Sequence, residues 1–180
     1  MRVKNLAPDE MNADQRRVYD DIVAGPRGRA EGPHKVWLHS PELADSGQRL
    51  GAFCRYGSSL PARLSELAII VTGRFYTAHY EWYAHASLAK KAGIDDGIVD
   101  AIRDQRTPTF QAADEQIVYE IAHTLHREHR LSDELYARGV EILGTQGMVD
   151  LVGVLGYYAL VSLTLNAFEV ELPEGVEREF

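Results

Sequence analysis

The sequence has a single cysteine, Cys54, among its 180 residues. One thiol closes no disulfide within the chain, and it forms neither a Cys-x-x-Cys redox pair nor a multi-cysteine zinc site. Nothing suggests a disulfide-stapled secreted scaffold. Positive charge is also in deficit, with 19 Lys+Arg against 27 Asp+Glu and a formal charge of −8. Phosphate backbones and anionic lipid surfaces need a basic field, so neither nucleic acid nor a membrane is an expected partner. The first residues, Met1-Arg-Val-Lys-Asn-Leu, run into Pro8 without the apolar stretch of a signal peptide. A cytoplasmic protein is the expectation. Convincing period-two alternation is missing too, so no strand is expected. There is no internal repeat, low-complexity tract or dividing linker.

What is present is helical periodicity. At 45% hydrophobic and 26% charged, the composition is that of an ordinary soluble domain. The spacing predicts a helix after Asn12 through Val23, ended by Gly25-Pro26. Residues 25–34 are rich in Gly, Pro and Arg and read as an ordered loop or lid carrying Arg27 and Arg29. Ser40 and Pro41 open a second helix that runs to about Tyr56. Pro61 opens a third, whose run Leu67–Val71 suits either a buried helix or a buried strand; the proline and the length favour helix. Helices are expected at 77–92, 95–104 and 110–128, from Ser132 to near Gly144, and from about Gln146 to Phe168. The reading is an all-α single-domain bundle of seven or eight helices. Residues 1–55 form an N-terminal helical extension and 56–170 the core.

Residues 151–168 carry no charge and approach membrane-spanning length. Two Gly, two Tyr, Ser162, Thr164 and Asn166 interrupt the run, and Asp150 and Glu169 bound it. A buried core or subunit-interface helix is expected instead. Gly153, Gly156 and Ala159 would let another helix approach closely, which favours a homo-oligomer.

The chemistry-bearing stretch runs from Arg63 to Gly93. On the helix after Thr77, the residues Ala78, Glu81, Trp82, His85, Leu88, Ala89 and Ala92 share one apolar face. Glu81 and His85 are therefore i,i+4 neighbours, with Cβ atoms about 5–6 Å apart. A buried Glu is costly without a partner, and a Glu–His pair is suited to proton transfer near neutral pH. Glu66, on the preceding helix, is within reach of the same cavity. The same spacing also serves as a satisfied polar pair in a core or on a surface, and Glu-x-x-x-His is common in helices. His123, His126 and His129 recur every three residues but sit at a charged helix end, and no metal is expected there or at Glu66, Glu81 and His85.

Several segments together carry a resemblance: Arg63-Leu-Ser-Glu66-Leu-Ala-Ile-Ile, Tyr80-Glu-Trp-Tyr-Ala-His85, Ala92-Gly-Ile, Gly156-Tyr-Tyr and Leu165-Asn-Ala-Phe168. In order and spacing they resemble the carboxymuconolactone decarboxylase and alkylhydroperoxidase D superfamily over about 60–168. The resemblance implies an all-helical fold, usually assembled into trimers or hexamers. Its peroxidase branch uses a glutamate, two cysteines and a histidine. Aligned on His85, that glutamate falls on Glu66, and the cysteines fall on Ala78 and Glu81. Both thiols are therefore absent, and the chain resembles the decarboxylase branch, which tends to place an acidic residue four before the histidine.

The function this implies is a cofactor-free lyase of aromatic degradation, acting on a small carboxylated lactone or related enolisable acid. His85 is the expected general acid, Glu81 its orienting partner and Glu66 a second proton shuttle. Arg74 and His79 are candidates for holding the substrate carboxylate, an Arg fork being suited to that geometry. Trp82, Tyr157, Tyr158 and Asn166 are candidate pocket-lining residues. The expected partners are a small-molecule substrate and further copies of the chain. The alternatives are a peroxide-reducing oxidoreductase using Cys54 or an external thiol, and a non-catalytic binding or assembly protein.

Overall fold

The apolar run that opens at Pro61 becomes the axis of the molecule. In a computed structural model describing all residues, Met1–Phe180, it forms helix α4 (Ala62–Phe75), and every residue from Leu64 to Gly73 is buried. A helix apolar all round must be covered on all sides. Helices α5 (His79–Lys91), α7 (Ala113–Glu128) and α8 (Asp133–Ala167) supply that cover. Leu67, Ala68 and Ile69 have no exposed surface, and each buried aliphatic side chain contributes on the order of 1.5–3 kcal/mol. The Leu67–Val71 run is thus helix rather than strand.

The remaining helices are α1 (Ala13–Ala24), α2 (Pro33–Trp37), α3 (Pro41–Ala52) and α6 (Asp96–Arg103), making eight with no strand. Asn12 caps α1 by accepting from the Gln15 N–H at 2.9 Å, while the Gln15 side chain accepts from the Asn12 N–H in return. Ser132 caps α8 in the same sense, at 3.2 Å from the Leu135 nitrogen. Helix α8 is two segments joined at Gly144, where φ is 70° and ψ is 169°. That conformation costs a glycine least, and it bends the axis where the sequence predicts one helix to end and the next to begin. Arg63 fixes the first turn of α4 to α7 by pairing with Asp114 at 2.6 Å and with Glu115.

The second segment of α8 has two different faces. Leu151, Val154, Leu155, Tyr157, Tyr158, Val161 and Leu165 are buried in the core, while Val149, Val152, Leu160 and Leu163 are exposed. The helix is long and apolar enough to cross a membrane by composition, yet 61% of its most apolar window is buried inside the fold.

Residues 1–55 do not sit apart. Val18, Ile22, Trp37 and Leu38 belong to the same hydrophobic cluster as α4. Trp37 Nε1 donates to Thr164 Oγ1 of α8 at 3.0 Å. Two features differ from the sequence reading. The loop expected over 25–34 ends at Gly32, after which the five-residue α2 begins, an element too short for periodicity to reveal. The helix expected to reach Tyr56 is regular only to Ala52; Phe53–Gly57 is a π-helical turn, with the Ser58 N–H bonded to the Phe53 carbonyl at 2.9 Å. Ser40 precedes α3 but makes no side-chain cap.

Candidate active site

The chain reverses between α4 and α5 in a tight turn at Thr77, a β-branched residue held at φ 53°. This turn lays the inner face of α5 against α4. The expected face is buried: Glu81 is 3%, His85 5% and Trp82 2% exposed, while Tyr83 points outward. Glu66 of α4, 9% exposed, lies beneath the same imidazole.

Glu66, Glu81 and His85 converge. His85 Nδ1 lies 2.6 Å from Glu66 Oε2 in a well-directed hydrogen bond, and the ring donates because a carboxylate only accepts. His85 Nε2 lies 3.0 Å from Glu81 Oε1, an ion-pair distance whose direction is too oblique for a hydrogen bond. Burial works against charge on His85, but the Glu81 charge and the hydrogen bond to Glu66 outweigh it, raising its pKa to about 9. At neutral pH the group is an imidazolium between two carboxylates. Glu66, rather than Glu81, makes the directed bond that orients the ring, which reverses the expected division of labour.

Glu81 and His85 line a cavity of about 490 Å³; Glu66 stays behind them. Tyr157, Tyr158 and Val161 of α8 form another part of the wall, and Tyr158 meets the His85 ring edge-on at 5.3 Å. Burial raises both phenols, Tyr157 to about 12, so they are neutral donors. The N-terminal 55 residues complete the wall with Arg27, His34 and Arg55. The π-helical turn carries Arg55, whose Nη2 stands 4.0 Å from Glu66 Oε1. Arg27 comes from the loop before α2, and its Nε and Nη2 are buried without partners. His34 Nδ1 lies 3.0 Å from the Glu31 carbonyl, which fixes the proton on Nδ1 and leaves Nε2 as an unpartnered acceptor. Burial, then the Arg27 charge, lower the His34 pKa to about 4, so it is neutral near pH 7. The site thus combines a buried acid, two cations and neutral phenols around one cavity.

Four of the candidate residues lie elsewhere. Arg74 is eight residues beyond Glu66, about 12 Å along α4. Its Nε donates to the Arg103 carbonyl at 2.6 Å, and its guanidinium covers Phe180 at 4.2 Å. His79 faces Phe180 at 4.7 Å. Trp82 is rotated about 100° from Glu81 around α5, and its Nε1 donates to Glu179 at 3.0 Å. The C-terminal residues thus occupy the space that three of these side chains face. Asn166, eight residues past Tyr158, is exposed and donates to the Tyr76 carbonyl at 2.7 Å. Tyr157 does line the cavity.

Sequence reasoning missed Arg55, His34 and Tyr80. The only signal for Arg55 was its place just before the Gly57-Ser-Ser break, and the approach of residues 27–55 to α5 is a long-range contact. The histidine triplet does not converge either. His126 Nε2 lies 2.9 Å from Thr72 Oγ1, His123 stacks on Tyr119 at 5.5 Å, and His129 ends α7 at φ 64°. Cys54 is fully buried, and burial together with the Asp150 charge raises its pKa to about 11.

In sequence, no protein-family model and no curated protein matches the chain. In structure it has the fold of alkylhydroperoxidase D-like proteins. It is similar to a peroxidase-related protein of Ralstonia eutropha JMP134 with an alkylhydroperoxidase AhpD core. The TM-score is 0.78 at 11% identity, over 96% of this chain and 92% of that one. It is also similar to the debrominase Bmp8 in complex with 2,3,4-tribromopyrrole, at TM-score 0.74 and 12% identity over 97% and 92%. A peroxidase-related protein of Silicibacter sp. TM1040 matches at TM-score 0.75 and 12% identity over 95% and 90%. These likenesses run through most of residues 1–55 as well as the core.

His85 gives the site a testable pH signature. Its pKa in the fold is raised above the ordinary 6.5 to about 9. Its contribution to stability is therefore fully present below about pH 6.5 and lost as pH rises through about 9. Nuclear magnetic resonance of the labelled ring should show a midpoint near 9 that falls in Glu81→Gln. A midpoint near 6.5 in the wild type would contradict this electrostatic account.

Proposed function

We propose that the protein is a cofactor-free acid–base enzyme, a carboxy-lyase acting on a small carboxylated lactone or a related enolisable acid. The observation that carries this reading is the buried imidazolium of His85, held by Glu66 and bordered by Glu81 at the wall of a cavity that also receives Arg27 and Arg55. In the proposed reaction the substrate's carbon–carboxylate bond breaks and CO2 leaves. The electron pair passes into the adjacent unsaturated system as an enolate or dienolate. The Arg55 guanidinium in the cavity wall opposes the negative charge that develops on its oxygen. The carbanionic carbon then takes a proton from the His85–Glu81 pair on the Nε2 side, and solvent restores that proton. Glu66 acts through His85 as a positioning residue, since it does not line the cavity. The fold's likeness to a protein in complex with tribromopyrrole supports a ring-sized ligand here.

The peroxidase reading lacks its chemistry. Thiol reduction of peroxide needs an accessible thiolate and a resolving thiol. Ala78 and Glu81 stand at the positions that the family resemblance assigns to the thiols, and Cys54 is buried with a raised pKa. An open cavity beside His85 favours an enzyme over a purely structural protein.

The exposed apolar face of α8 supports self-association. Val149, Val152, Leu160 and Leu163 are exposed together, and side chains at Gly153 and Gly156 would meet nothing within 4 Å. A second copy presenting the same uncharged helix fits such a face, because an isologous contact needs one self-complementary patch. The unpaired Cys54 suits the cytoplasm, where thiols stay reduced.

Two experiments follow. Ultraviolet absorbance should show turnover of candidate carboxylated lactones by the wild type, reduced at least about 100-fold in Glu81→Gln and His85→Ala. Wild-type rates in both variants would remove these residues from the mechanism, and thiol-dependent peroxide turnover abolished by Cys54→Ser would favour the alternative. Sedimentation velocity should give a species heavier than one 20.1 kDa chain. Leu163→Asp should shift it toward the monomer, and a monomeric wild type at micromolar concentration would contradict self-association.

A further inference from the structure

The acid–base set does not use two groups in the same cavity. Arg27 presents Nε and Nη2, both buried and both without a hydrogen-bond partner. These nitrogens lie on one edge of the guanidinium, the pair that binds the two oxygens of a carboxylate side by side. His34 is 4% exposed, and its Nε2 also lacks a partner. Its Nδ1 is bound to the Glu31 carbonyl at 3.0 Å, so Nε2 presents a lone pair. Buried polar groups left unpaired cost about 1–3 kcal/mol each, and the Arg27 charge acts on His34, so three such atoms on two residues of one cavity wall mark a place that a ligand completes.

The backbone makes room for this cluster. A Cβ at Gly51 would overlap both the Tyr157 hydroxyl and Arg27 Nη2. The bare backbone of α3 therefore lets the phenol and the guanidinium edge occupy one corner of the cavity.

We propose that this corner is a subsite for a hydroxycarboxylate: a carboxylate on the Arg27 edge, with a hydroxyl on the neighbouring carbon donating to His34 Nε2. The proposal deepens the acid–base reading and takes its substrate end from it. The demand on the ligand is specific, because an acceptor beside a cation selects a group that is anionic and also carries a proton to donate. A plain carboxylate satisfies Arg27 and leaves His34 unpaired. A site that hydrogen-bonds a hydroxyl discriminates strongly against the analogue lacking it. Tyr80 and Tyr157 in the same wall favour a planar or ring-bearing body on that acid.

Calorimetric titration of the full chain with mandelate and phenylacetate tests the subsite, since the two acids differ only by the 2-hydroxyl. The wild type should bind mandelate at least about tenfold more tightly, the value of one hydrogen bond to a buried unpaired acceptor. His34→Phe should bring the two affinities together. Arg27→Lys keeps the charge but loses the two-nitrogen edge, and should weaken both acids by a similar factor while the preference for mandelate remains. Circular dichroism and thermal melts check that the variants fold. Equal affinities in the wild type, no binding of either acid, a preference that survives His34→Phe, or inorganic phosphate binding more tightly than mandelate would each overturn the subsite. His85→Ala should retain the preference. A protein that keeps the preference but shows no turnover retains this subsite and loses the carboxy-lyase reading.

Discussion

Everything at the site depends on one buried charge, the imidazolium of His85 between two carboxylates. Removing three ionisable groups from water is unfavourable, and partners repay that cost only when their geometry is held firmly. Here the holding is done by packing. Glu66 projects from α4, a helix buried along most of its length. Glu81 and His85 project from α5, laid against α4 by the turn at Thr77. The hydrogen bond to Glu66 fixes the ring from behind and leaves Glu81 and the Nε2 edge toward the cavity. A looser helix pair would let water in and return His85 to an ordinary pKa.

The fold does not dictate this chemistry, since related scaffolds host different reactions through different site residues. Positions 78 and 81 carry Ala and Glu rather than thiols, and proton transfer is the chemistry proposed for the region. The cations come from the N-terminal 55 residues, which share the core with α4 through Val18, Ile22, Trp37 and Leu38. That segment closes the helix pair into a cavity with the guanidinium groups of Arg27 and Arg55 in its wall. The exposed apolar face of α8 lies on the same helix whose buried side supplies Tyr157 and Tyr158, so the surface proposed for self-association and the pocket share one element.

Much of the architecture was legible in the sequence because it rests on local periodicity. The caps at Asn12 and Ser132, the break at Gly144, the all-helical class and the shared face of Glu81 and His85 all follow from residues a turn or two apart. Glu66 was legible through its spacing to His85 within the resembling motif. The polar wall opposite α5 was legible only in part, through the Gly/Pro/Arg-rich loop that carries Arg27. Arg74 and His79 were attractive because they are near the motif in sequence, but helical rise and rotation carry them to the C-terminal tail, around Phe180. Arg55 and His34 lie on a π-helical turn and on a five-residue helix, elements without a periodic signature. Which glutamate orients the ring is a matter of bond direction, which no spacing rule encodes.

The central claim is that His85 and Glu81 deliver a proton to carbon. Solvent deuterium incorporation reads that step directly, without requiring the complete decarboxylation to be observed. A panel of small enolisable acids is incubated with the protein in D2O and followed by proton magnetic resonance. The account predicts that at least one acid exchanges its enolisable hydrogen faster than in buffer, and that His85→Asn abolishes the excess. Exchange no faster than buffer for every acid, or equal in wild type and His85→Asn, would contradict it.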